Sequence, residues 1–365
     1  MNRYENQALY IAGPACFYPR GYDLWEALRR QAVYYGFQVA LPNDNKLKLD
    51  HEDLQKNADA IFANCAESMN RSTAILADLE LFRGAEPDGG SIYEIGMAYA
   101  RGLRCYAYTR DKRPLTHKYQ QAYLKDGQAF DQDGRPLPYG DLPFSPSVVA
   151  SCKIVEGSFV DCLKTLATDL DEEAKAAWNK TAAKEEAPEA PKTNGRPRVY
   201  LADVRRYDAD GAQQYAHLKE VCRQHGLEAV TPLDGTEDIH FDDPYTQAAA
   251  LFAQWQKNLR SCDLVLADLS DFHGLEPSAD VAFECGCGWQ LGKQCFGYMK
   301  DARIMQQRIP HYGPERENAD LCGNVVEDFN YPINLMFASS MPIRQASAEE
   351  AIAWAAEAYF AKNDR

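Results

Sequence analysis

The chain has 365 residues, 45% of them hydrophobic and 11% aromatic, enough apolar material for about two globular domains at roughly 150 residues each. A formal net charge of −15 argues against a nucleic-acid polymer as partner, because such binders gather lysine and arginine on one face. No run of about 18 apolar residues marks a membrane span and no secretory signal precedes the first apolar segment, so no membrane association, a cytoplasmic setting and small-molecule ligands are expected.

In chain order, short apolar runs alternate with amphipathic stretches. Strands are predicted at 8–13, 37–42, 73–79 and 104–109, with helices near 21–36, 52–70, 91–102 and 157–176. The segment Lys180 to Arg198, centred on Glu185-Glu186-Ala187-Pro188-Glu189-Ala190-Pro191, cannot bury a core and reads as a solvated tether. Beyond it the order repeats: strands at 198–203, 227–232, 263–269 and 294–299, helices near 209–225, 244–261, 281–292 and 347–361. A fifth strand is expected near 148–154 and again near 335–340. Strands that alternate with helices imply parallel sheets covered on both faces. The expected fold is α/β: two tandem flavodoxin-like, doubly wound domains at 1–175 and 197–365, joined by a linker at 176–196 and packed as a pseudo-dimer.

The halves are copies. Tyr10 to Ala12 returns as Tyr200 to Ala202, Ala77-Asp78-Leu79 as Ala267-Asp268-Leu269, and Glu94-x-Gly96 as Glu284-x-Gly286, each 190 residues on (200−10, 268−78, 284−94). A period this long is a duplicated domain, since solenoid repeats run roughly 20 to 50 residues. Function should lie in how the copies differ.

Eleven cysteines are present, but Cys285-x-Cys287 is the one close pair and falls in a predicted helix, where residues two apart face different ways. The seven histidines show no HxxxH or HExxH spacing. Reduced, mostly buried thiols and no metal site are expected.

Ligands of open α/β sheets bind at the carboxyl ends of the strands. In the first half Tyr10-Ile11-Ala12-Gly13-Pro14, Leu41-Pro42-Asn43-Asp44-Asn45 and Asp78 lie there, followed by Asp88-Gly89-Gly90-Ser91 and Glu94. Two readings of Glu94 stand. Ser91-x-x-Glu94 is a capping box, with the glutamate reaching back to the helix start. Alternatively Glu94, placed in the first turn, is kept ionised by the helix dipole and serves as a nucleophile held by the Tyr10 phenol. The second half puts Val281 where Ser91 stands yet keeps Glu284, which favours a role beyond capping. Tyr10 alone could be an ordinary strand aromatic, and Gly13-Pro14 an ordinary turn.

Tyr10-Ile-Ala-Gly-Pro14, the segment Phe82-Arg-Gly-x-x-Pro-Asp88-Gly-Gly-Ser-x-x-Glu94-x-Gly96-x-Ala98 and Pro332-Ile-Asn-Leu-Met336 together resemble the signature segments of nucleoside 2-deoxyribosyltransferases. The resemblance covers most of both halves. It implies that Glu94 is the nucleophile, that Asp88 and an Asn-x-Met motif from a neighbouring protomer grip the deoxyribose, and that no cofactor is required. It also implies a polar residue on the second helix near the base, where Phe62-Ala63-Asn64-Cys65 offers Asn64; Asp78 or Asn64 would contact the base.

The match is uneven. The first half has Tyr10, Gly13, Pro14, Asp88 and Glu94, but Pro146-Ser147-Val148-Val149 lacks Asn-x-Met. The second half has Asn334 and Met336, but Asp203-Val204 replaces Gly-Pro, and Asp280 stands four residues before Glu284 instead of six. One composite site is therefore expected, its nucleophile from the first half and its clamp from the second, with the Glu284 site degenerate. The implied substrates are 2′-deoxynucleosides and free nucleobases, exchanged by double displacement with net retention. A hydrolase of deoxynucleosides or their 5′-monophosphates, and a non-catalytic nucleotide-binding module, are the rivals. The fused chain could assemble further as a homo-oligomer, and the segment from Asp301 to Asn330 reads either as a lid over the site or as a surface excursion.

Overall fold

The computed structural model describes residues 4–41, 44, 47–126, 128–131, 134–177, 195–316 and 318–363; most of the 176–196 linker, and Pro42, Asn43 and Asn45, lie outside them. The first half runs β1 (Tyr4–Ala12), α1 (Gly21–Tyr34), β2 (Phe37–Ala40), α2 (Leu54–Asn70), β3 (Ala74–Asp78), α3 (Gly89–Arg101), β4 (Arg104–Thr109), α4 (Leu115–Lys118), β5 (Tyr123–Lys125), β6 (Gln128–Phe130), α5 (Pro146–Ser151), β7 (Lys153–Glu156) and α6 (Phe159–Ala177). The second runs β8 (Arg198–Ala202), α7 (Gly211–Gln224), β9 (Glu228–Val230), α8 (Pro244–Arg260), β10 (Leu264–Asp268), α9 (Ala279–Gln290), β11 (Gln294–Met299), α10 (Met305–Arg308), α11 (Leu335–Ala338), β12 (Ile343–Gln345) and α12 (Ala348–Asn363).

Two five-stranded parallel sheets result, ordered β2-β1-β3-β4-β7 and β9-β8-β10-β11-β12. Both have the doubly wound order of the flavodoxin type. The copied segments keep their register: Leu9 pairs with Ala74 as Val199 pairs with Leu264. Central strands such as Ile75-Leu76-Ala77 and Val265-Leu266-Ala267 are buried on both faces, as expected of a parallel sheet covered by helices on both sides.

The outer helices α1 and α6 cover one sheet through Trp25, Leu28, Phe159 and Leu163, and α7 and α12 cover the other through Tyr215, Leu218, Ile352 and Ala355. Between the sheets a single core is shared by both halves, and its axis is the packing of α3 on α9. The crossing depends on Gly96 and Gly286. A Cβ on Gly96 would overlap the Phe283 carbonyl, and one on Gly286 the Tyr93 carbonyl, the same contact made twice across a pseudo-twofold axis. The Glu-x-Gly repeat thus combines a polar residue with the helix–helix contact beside it.

Two expectations are corrected. Residues 335–340 do not form a strand. The Asn334 side chain accepts from the Met336 N–H and starts the short helix α11, so the fifth strand comes later, at Ile343–Gln345. The first half likewise places α5 across most of 148–154, with β7 starting at Lys153. Within 301–330, the Asp320 N–H to Asn324 carbonyl and Gly323 N–H to Asp320 carbonyl bonds repeat those of Asp131 to Arg135 and Gly134 to Asp131, so that part of the segment has a counterpart in the first half.

Candidate functional site

Helix α3 begins at Gly89 with Asp88 as its cap, whose Oδ2 accepts from the Ser91 N–H at 2.8 Å and the Ser91 hydroxyl at 2.6 Å. Glu94 therefore lies in the second turn, outside the capping box and beyond the first turn where the helix dipole acts. Its side chain accepts instead from the hydroxyl of Tyr10, a fully buried residue of strand β1. Burial raises the Glu94 carboxyl to about 8; the Tyr10 hydrogen bond works against the rise and the nearby Asp88 adds to it. This corrects the expectation of a carboxylate kept ionised by the dipole, since desolvation dominates.

Above Glu94 opens a cleft of about 520 Å³ built by both halves. The first half supplies Gly13, Cys16, Cys65, Asp88 and Glu94 and an apolar wall including Trp25, Leu47 and Leu49; the second supplies Val326, Glu327, Phe329, Asn334, Leu335 and Met336. Asn334 comes close because its neighbour is Gly90, where a Cβ would lie 2.7 Å from the Asn334 amide nitrogen. One carboxylate oxygen of Asp88, Oδ1, is buried without a partner, an acceptor in place for a ligand hydroxyl.

The cleft gathers most of the sequence-derived set. Gly13, Asp88, Glu94, Asn334 and Met336 line it, and Tyr10 lies directly behind Glu94. Gly13 has φ 152, a backbone region that favours glycine, and a Cβ there would stand 2.9 Å from that of Asp78. Besides Tyr10, three candidates fall outside the lining. Pro14 starts the buried turn Pro14–Phe17 that carries Cys16 and Phe17 to the cleft. Asp78 packs beneath Gly13, accepts from the Glu80 N–H at 3.0 Å, and is raised to about 6 by burial. Asn64 is buried on α2, and the residues that α2 presents to the cleft are Ile61 and its neighbour Cys65. Adjacent helical residues point about 100° apart, so a reading one residue out chooses the wrong face.

Sequence reasoning missed Cys16, Glu327 and Arg83. Arg83 is buried; its Nε donates to Asp320 at 2.9 Å and its Nη2 to the Val325 carbonyl at 2.9 Å, which ties the excursion of the second half over the first. The 190-residue step pairs it with His273, whose Nδ1 contacts Asp131 at 2.8 Å across the axis, so the duplication held a signal for both (273−83).

The Glu284 position is built differently. Tyr200 donates to Glu284 at 2.7 Å, as Tyr10 does to Glu94, but Arg206 adds a bidentate pair at 2.8 and 2.6 Å and lies 4.5 Å over the Trp255 ring. The step of 190 places Arg206 on Cys16, Trp255 on Cys65, Asp203 on Gly13 and Asp280 on Gly90. Each replacement is larger than the residue lining the open cleft. Burial works to discharge Arg206, and the Glu284 carboxylate more than offsets it, so the guanidinium stays protonated. Ser145, the cap of α5, stands where Asn334 caps α11, so the first half has no asparagine at that place; the step here is 189 (334−145).

The family model for nucleoside 2-deoxyribosyltransferase matches residues 9–138 and again 199–336. The chain belongs to that family, in two copies, as its doubled fold and Glu94 cleft lead one to expect. A 2-deoxyribosyltransferase from Leishmania mexicana is 25% identical, with 46% of this chain and 97% of that one covered at a TM-score of 0.36. One from Bacillus psychrosaccharolyticus is 14% identical, covering 42% and 90% at 0.29. An uncharacterised Schizosaccharomyces pombe protein is 28% identical over 119 residues, 32% of this chain; the match spans 56% of that relative's length. Among the described residues no helix is long and apolar enough to cross a membrane.

Proposed function

We propose that the protein exchanges the base of 2′-deoxynucleosides in the Glu94 cleft, through a covalent 2-deoxyribosyl ester on Glu94. The observation that carries this reading is the contrast between two equivalent glutamates. Glu94 has the Tyr10 hydroxyl as its hydrogen-bond partner and lines an open cleft, whereas Glu284 is sealed by Arg206.

In the first step a Glu94 carboxylate oxygen attacks C1′ as the C1′–N bond breaks, and the base leaves with the bonding pair. The developing oxocarbenium charge favours the ionised glutamate, and Tyr10 keeps that carboxylate aimed. A second base then attacks C1′, the ester bond breaks, and two inversions give retention. Asp88, with its vacant acceptor, and Asn334 would hold the sugar hydroxyls, and Met336 would close the apolar side. Among the described lining residues, Asp88, Glu94, Glu327 and Asp328 are acidic and none is lysine or arginine, which supports an uncharged nucleoside over a 5′-monophosphate.

Incubation with deoxyinosine, with and without free adenine or cytosine, tests the proposal by chromatography of the products. A new deoxynucleoside that forms only when base is added supports the transferase. Hypoxanthine release indifferent to added base would replace it with a hydrolase, and no turnover would remove the catalytic reading.

A further inference from the structure

Glu327 has no part in the mechanism above, yet the fold builds a place for it. It lies seven residues before Asn334 and lines the same cleft. Its Oε2 accepts from the Leu335 N–H at 3.1 Å, and the Asn334 Oδ1 accepts from the next N–H, that of Met336, at 2.8 Å. Two consecutive peptide groups therefore hold a carboxyl and an amide side by side. No described residue donates to the second Glu327 oxygen, Oε1. Arg83 fixes the turn leading to Glu327 from across the half-to-half boundary, through Val325 and Asp320.

Electrostatics place the carboxyl on the Asp88 side of the cleft. Burial raises Glu327 to about 8, with Asp88 and Glu276 adding to the rise and the Leu335 N–H and Arg83 opposing it. At neutral pH most of it is the acid, with one oxygen held as an acceptor and the other able to donate a hydroxyl hydrogen. Asp88 Oδ1 lies in the same cleft as a buried acceptor without a partner. Donor and acceptor together match a sugar hydroxyl, which needs both. A phosphate on that hydroxyl would bring about −1.5 to −2 charge against Asp88 and Asp328, and against Glu327 itself once pH rises past about 8 and it ionises.

We propose that Glu327 is a specificity-determining residue that reads a free sugar hydroxyl of the nucleoside beside Asp88 and Asn334 and rejects a phosphate at that position. The inference rests on the deoxynucleoside reading of the cleft. Its test compares wild type, Glu327→Gln and Glu327→Ala by steady-state kinetics with deoxyinosine and adenine, using deoxyinosine 5′-monophosphate as competitor.

For wild type, turnover of deoxyinosine with weak inhibition by the monophosphate is expected. Glu327→Ala should raise KM by roughly tenfold, the equivalent of one lost hydrogen bond, and lower kcat by less. Above about pH 8, where wild-type Glu327 is ionised, it should also strengthen monophosphate inhibition by at least about tenfold, with a smaller change at about pH 7. Glu327→Gln keeps the shape and a donor and cannot ionise, so its KM should stay nearer wild type while inhibition still tightens above about pH 8. Unchanged KM and unchanged inhibition in Glu327→Ala would overturn the assignment with the transferase reading intact. Failure of wild type to turn over or bind deoxyinosine would overturn both. Equal loss in Gln and Ala variants with lowered melting temperatures would assign Glu327 to folding and sink the specificity role.

Discussion

The two glutamates at the ends of the 190-residue step hold the same backbone position, receive the same tyrosine hydrogen bond and lie on helices packed against each other, yet their surroundings suit different tasks. Around Glu94 the neighbours are small or absent, Gly13, Cys16, Cys65 and Gly90, and the space left is the cleft. Around Glu284 the same positions carry Asp203, Arg206, Trp255 and Asp280, and the space is filled by charge and an aromatic ring. A duplicated fold thus converts one of its two pockets into a structural ion pair, and uses the freed half to deliver Asn334 and Met336 to the other.

The comparison breaks most sharply at the glutamates. Glu94→Ala should lower transfer by at least about a thousandfold through loss of the nucleophile, with folding retained. Glu284→Ala should leave Arg206 buried without its partner, destabilising the fold by about 3–5 kcal/mol. Chromatographic rates and thermal melts on both variants separate the two roles. Equal rate losses at matched stability would mean both sites turn over.

Next in size is a transplant of the plug. Cys16→Arg places a guanidinium where Arg206 stands in the other half, and it should pair with Glu94 and occupy the cleft. An activity loss of about a hundredfold or more is expected, with the melting temperature held or raised. Activity near wild type would show that the lining drawn around Cys16 is not the substrate path.

Asn334→Ala tests whether the clamp crosses between halves. A loss of roughly ten- to a hundredfold in kcat/KM is expected for a residue that orients substrate without reacting. Mixing Asn334→Ala chains with Glu94→Ala chains should restore nothing, because the cleft brings both residues from one chain. Recovery of activity on mixing would instead mean that the clamp is exchanged between chains.

Much of this was legible in the sequence because duplication acts as an internal comparison. The strand and helix order followed from alternating apolar runs, and the asymmetry of Gly13 against Asp203 marked which half was altered. What escaped depended on direction and distance. Asn64 and Cys65 differ by one helical step, and no periodicity says which of them meets a cleft that another half completes. The capping box at Ser91 looked sound until Asp88 took the cap one turn earlier. Arg206 carried no motif at all; its meaning appears only when the step of 190 places it on Cys16 and the fold brings it to Glu284. The strand expected at 335–340 failed because a single side chain, Asn334, supplied a cap that local apolar content does not reveal.

The smallest effect is in pH. Glu86, Glu94, Glu276 and Glu327 are each raised by burial from 4.5 to about 8. Between those values the folded chain holds protons that the unfolded chain has lost, so stability is full below the unfolded value and falls as pH rises toward 8. Activity runs the other way, since kcat/KM should climb with the ionised fraction of Glu94 and level off above about 8. Glu94→Gln removes one titrating group while keeping its shape, so its melting temperature should match wild type near pH 4.5 and exceed it increasingly toward pH 8. Glu284→Gln should fall below wild type by a margin that widens as pH rises, because burial also raises the Glu284 carboxyl and Arg206 has its counter-charge only where Glu284 is ionised. Melts of the three proteins across that range would decide it: parallel curves for Glu94→Gln and wild type would mean that Glu94 ionises freely, and that Tyr10 and solvent, not burial, set its charge.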